Sequence, residues 1–141
     1  MCVGDNTYYG TVSQQLDDLS STLMGNALDM LAEGEHIGVL LVIQREDNTY
    51  DSMQLSNDGI EAMLEAARER VRKARGALRY AIAYEGAIED ERGGYADALI
   101  VEFGERGRPS FSAYSLFEGR GRGNGFVWTD PAPAGEEEPL L

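Results

Sequence analysis

Basic charge is scarce in this sequence. Its 141 residues carry 12 Lys and Arg against 25 Asp and Glu, a net charge of −13 at pH 7. An acidic chain repels nucleic-acid phosphates and anionic lipid surfaces, and it lacks the cations whose binding releases counterions. DNA, RNA and membranes are therefore not expected as partners. Cysteine and histidine are scarcer still. The lone Cys2 excludes an internal disulfide and a cysteine-based zinc cluster, and the single histidine, His36, excludes His-pair metal motifs. No metal and no cofactor is expected. The thiol usage fits a reducing, cytoplasmic compartment. Long apolar runs are missing: none approaches the roughly 18 residues of a membrane-spanning helix. The start MCVGDNTYYG has neither the basic beginning nor the apolar stretch of a signal peptide. Trimming of Met1 would leave a terminal thiol at Cys2, but the sequence shows no general base for it, so it reads as an inert end.

What is present suits a folded chain. Hydrophobic residues make up 43% and charged residues 26%, the balance of a globular protein. At this length folding buries roughly 68–70% of the unfolded surface, enough for a core without staples. From Thr11 onward, Val12, Leu16, Leu19, Leu23, Ala27 and Met30 recur at steps of three and four, with Asp17, Asp18 and Asp29 on other arcs. The spacing predicts an amphipathic helix. Thr11 and Gln14 form a capping box, and Gly34 supplies a left-handed stop. A second apolar stripe, Ile60, Met63, Leu64, Ala67, Val71 and Ala74, follows the N-cap candidates Ser56, Asn57 and Asp58 and ends at Gly76.

Strands fill the rest. His36 to Ile43 is apolar at nearly every position, which predicts a strand covered on both faces inside the sheet. Glu46-Asp47-Asn48 turns into a second strand from Tyr50 to Leu55. Tyr80, Ile82 and Tyr84 alternate with Ala81 and Ala83, and Leu99, Val101 and Phe103 alternate with Ala96, Ala98 and Ile100. Further strands are expected near Phe111–Phe117 and Phe126–Thr129, joined by a glycine-rich loop in which Asn124-Gly125 suits positive φ. The fold class is α+β: a mostly antiparallel sheet of about five to six strands with two amphipathic helices, in the order α-β-β-α-β-β-β-β. Residues 1–10 read as an extension, 11–130 as one domain, and 131–141 as a disordered acidic tail.

Several features invite a chemical reading. Arg68, Arg72, Arg75 and Arg79 form an anion or partner patch, or else a solvated face paired with Glu61 and Glu65, with Glu69 four residues before Lys73. The Gly119–Gly125 stretch carries two Arg-Gly steps but fits neither a dinucleotide fingerprint nor a Walker loop, so it reads as a flexible hairpin. Asp97 and Glu102 interrupt apolar strand patterns near strand ends and read as rim residues. His36 reads as a surface or strand-cap residue. If both helices cover the alanine-rich face, the other face carries Tyr80, Ile82, Tyr84, Leu99, Val101, Phe103 and Tyr114, too large an apolar surface to leave in water. That face reads as a homodimer or partner interface; one helix on each face would instead make the same residues core.

The functional expectation is a non-enzymatic, homodimeric interaction module with no catalytic residues, partnered by itself and possibly by another protein. Two alternatives stand beside it. One is a small carboxylate-dependent enzyme using Asp97 and Glu85, with Tyr80, Tyr84 or Trp128 lining an aromatic pocket. The other is an acidic inhibitor or decoy of a nucleic-acid-binding protein.

Overall fold

The computed structural model describes residues 12–56, 58–89 and 91–141. Two helices, α1 (Gln14–Ala32) and α2 (Ile60–Lys73), flank strands β1 (Val39–Arg45), β2 (Tyr50–Leu55), β3 (Ala77–Glu89), β4 (Tyr95–Glu105), β5 (Ser110–Glu118), β6 (Val127–Trp128) and β7 (Ala132–Glu137). The sheet runs β2-β1-β3-β4-β5, and the far side of β5 is shared by β6 and β7. Every pairing is antiparallel. The expected α+β class and element order hold.

One helix lies on each face. In α1 the stripe Leu16, Leu23, Ala27 and Leu31 covers Leu40, Val42, Ala81, Ala83, Val101 and Phe103. In α2 Met63, Ala67 and Val71 cover Val39, Leu41, Ile43, Tyr80 and Ile82. Successive side chains of β1 therefore go to opposite helices, which is why that strand is apolar throughout. Ser13 caps α1, its Oγ accepting from the Leu16 amide at 3.1 Å, and Gly34 turns the chain away at φ 83°. The expected cap Thr11 lies outside the described residues. For α2 the N-cap is Gly59 rather than Ser56 or Asp58, and Asn57 lies outside the described residues.

The arrangement corrects three expectations. First, there is no single aromatic face. β3 and β4 pair with Ala81 opposite Phe103 and Ala83 opposite Val101, and partners in an antiparallel ladder share a face. Five residues separate the closing pair Glu89–Tyr95 in sequence, an odd number, and that parity sets large residues against alanines. Had one residue more or fewer separated the pair, the large residues would have met. Second, residues 131–141 are not a free tail. Ala132–Glu137 pairs with β5, Pro133 sits at a register shift, and Leu140 and Leu141 lie against the α2 cluster. The bulge tolerates a proline that a regular ladder position would not. Third, the glycine-rich loop is anchored. The Gly121 amide donates to the Leu31 carbonyl at 3.0 Å, and a Cβ on Gly34 would stand 3.2 Å from the Gly121 Cα, so two left-handed glycines allow the loop to seat on the end of α1. Positive φ falls at Gly119, Gly121 and Gly123, not at Asn124-Gly125.

Candidate functional site

The residues expected to form one interface are divided by the sheet. Tyr80 and Ile82 are buried beneath α2, while Leu99, Val101 and Phe103 are buried beneath α1. Tyr84 and Tyr114 are half-buried on the α2 side. Most of this set is spent on the chain's own core.

The arginines are likewise divided. Arg72 meets Glu65 at 3.0 Å and Glu69 at 3.8 Å, as a self-paired helix face requires, though Glu69 pairs with Arg72 rather than Lys73. Arg79 reaches Gln44 at 3.1 Å and Glu105 at 3.4 Å on the sheet. The Arg75 carbonyl accepts from Arg45. Arg68 turns inward and grips Glu102 with two bonds, Nε at 3.1 Å and Nη2 at 2.6 Å.

Glu102 is not a rim residue: it is 4% exposed. The register puts it opposite Ile82 on the α2 face, where Arg68 and the Tyr84 hydroxyl, donating at 2.8 Å, complete its coordination. Burial, together with the neighbouring carboxylate, pushes the Tyr84 phenol well above the ordinary tyrosine range. Burial likewise raises Tyr80 to about 12, partly offset by a hydrogen bond with Ser110. A carboxylate holding two partners in this way is locked rather than poised, since a general base needs a lone pair turned to a substrate. Asp97 is exposed, as expected of a strand end, and therefore not inside a cavity. Glu85 is ion-paired with Arg120. It lines a cleft of about 520 Å³ with Ser56 and the exposed His36, yet no hydrogen bond joins these three side chains among the described residues.

The less committed surfaces lie at the margins of the sheet. At β2, Met53 and Leu55 pack only partly buried against the α2 cluster, and a cleft opens on each side of the strand. On the α1 side, Val42, Leu19 and Leu23 floor a cleft of about 410 Å³ rimmed by Asp18, Tyr50 and Ser52. On the α2 side, Ile43, Met53 and Ala66 line one of about 520 Å³ rimmed by Arg70 and Lys73. Asp51, the one charge on β2, is drawn back by Arg45 Nε at 2.9 Å. At the opposite margin Trp128 stacks on Phe126, with ring centroids 5.9 Å apart, and remains 58% exposed. On α1, Asp17 is 8% exposed despite its acidic side chain, and burial raises its carboxyl above the usual range. The helix pattern placed Asp17 off the buried arc. The signal available was its three-and-four spacing to Ser21, Met24 and Leu28.

No protein-family model matches the chain, and comparison with curated proteins and with solved structures finds no match either. The geometry of the chain itself therefore carries the functional argument.

Proposed function

We propose that this chain is a non-enzymatic protein-interaction module that works as a homodimer, two copies joining along β2 to continue one antiparallel sheet across a two-fold axis. The observation that carries this reading is the β2 edge, which has a cleft on both faces and no proline. Strand addition draws affinity from main-chain hydrogen bonds and specificity from pockets that take alternate side chains. β2 itself has the pattern such pockets suit, Met53 and Leu55 toward the α2 side and Tyr50, Ser52 and Gln54 toward the α1 side. Because opposed residues share a face, the axis runs through Ser52 or Met53. With Ser52 on the axis, Asp51 faces the partner's Met53; with Met53 on the axis, it faces the partner's Leu55. Neither register sets like charges opposite each other, as an axis through Asp51 would.

Light scattering after gel filtration tests this. A dimer is expected at about 50 μM, an ordinary affinity for a small edge contact. It should tighten as salt screens the repulsion between two copies of charge −13. Tyr50→Lys with Ser52→Lys, both on exposed positions, should leave a monomer with unchanged stability. A wild-type chain that stays strictly monomeric at that concentration in high salt sinks the proposal.

A further inference from the structure

We infer that the groove between α1 and the β6–β7 margin binds a cationic side chain, an arginine or lysine carried on an exposed segment of another protein. The groove has a volume of about 360 Å³, and Met24, Leu28, Ser115 and Trp128 form much of its wall. One face of the Trp128 ring rests on Phe126, which leaves the other open; an indole face is the strongest π-surface a protein offers to ammonium or guanidinium. Asp130, exposed at the rim, supplies a full negative charge.

A second feature points the same way. Ser21 Oγ, which lines the groove, is buried without a hydrogen-bond partner among the described residues. Buried acceptors left unpaired are costly, and a guanidinium or ammonium brings the donors they lack. Among the described residues, no basic side chain lines the groove. The net charge of −13 draws a basic segment in from a distance. This site lies at the margin opposite β2 and goes beyond the pairing of two copies, so either can fail without the other.

The chain has a single tryptophan, so its emission reports occupancy of the groove directly. The full-length protein is titrated with a blocked Gly-Gly-Arg-Gly-Gly peptide and with its citrulline counterpart, which keeps the shape and removes the charge. A saturable change is expected with the arginine peptide, at least tenfold weaker with citrulline. Asp130→Asn should weaken binding roughly fivefold. Trp128→Leu, read by calorimetry, should abolish it. Glu33→Gln with Glu35→Gln, which lie outside the groove, should change it less than about twofold. Equal binding of the citrulline peptide overturns the proposal, as does absence of saturation by about 10 mM. It is also overturned if the remote pair weakens binding as much as Asp130→Asn, which would make the effect that of the whole charge field. Agmatine binding as tightly as the peptide overturns the assignment to a protein segment.

Discussion

The two margins of this sheet are built on opposite plans. The β6–β7 margin carries Pro131 and Pro133, neither of which can donate to an incoming strand, a register shift at Ser112–Ala113, and the acidic run Glu136 to Glu138. The Ser112 hydroxyl donates to the Glu137 carboxylate at 2.8 Å, which pins one of those acids in place. The β2 margin has six residues, no proline, and one acid that Arg45 holds back. Edge strands invite pairing unless something blocks it, so the difference marks which margin is closed to other chains and which is open. Hydrophobic contact does not follow this division: Met53 and Leu55 of β2, like Leu140 and Leu141 beyond β7, pack against the α2 cluster.

The largest effect should come from removing the guarded margin. A chain ending at Asp130 loses β7, strips the outer partner from β5 and exposes the surface under Leu140 and Leu141. We expect a loss of about 4 kcal/mol, the order of two part-buried leucines plus orphaned ladder groups. Urea unfolding measures it, and light scattering should show aggregation through the bare β5. A truncated chain as stable and monodisperse as the parent would mean that β7 guards nothing.

An alkaline titration probes the same side from within. Tyr80 lies under α2 and hydrogen-bonds with Ser110, the residue that β7 covers opposite Glu137. Its folded pKa of about 12 stands above the ordinary tyrosine value of 10.0. Below that ordinary value both states are protonated and the contribution is fully present. As pH rises from about 10 toward 12 the unfolded chain sheds the proton first, and stability falls by about 3 kcal/mol. Ultraviolet detection of phenolate during stepwise alkalinisation should show Tyr80 ionising only with unfolding, and Tyr80→Phe should flatten that part of the stability profile. Early, reversible ionisation of every tyrosine would show that the site is not sealed.

How much of this could be read from sequence depends on the kind of signal. The helices and the inner strands were legible because burial imposes a period, three and four in α1 and two in β3 and β4. The double coverage of β1 was legible from its unbroken apolar run. Register was not, because the face on which Phe103 falls turns on whether an odd or even number of residues separates the last pair of β3 and β4, and no side chain reports that count. The C-terminal strand was hidden for a different reason. Proline and glutamate usually signal a solvated tail, and they are also what a protected edge strand is made of. Asp17 and Glu102 were misplaced because an acid reads as exposed until its partners or its neighbours' burial are known.

The smallest effect on folding, and the sharpest test of the comparison, is to open the closed margin. Pro133→Thr with Glu136→Thr restores an amide donor at the edge and removes one charge from it. Both positions are exposed, so the monomer should shift by no more than about 0.5 kcal/mol. The association behaviour should change far more. A chain with one open edge closes into a pair, but one with two open edges has no reason to stop, since each added copy presents another free strand. The variant should therefore form species larger than a dimer, growing with concentration. Combining it with Tyr50→Lys and Ser52→Lys should return a size limited to two, now joined at β7. If the unblocked variant keeps the parent's size at every concentration, the prolines and acids are not what keeps that margin closed, and the contrast between the two edges falls.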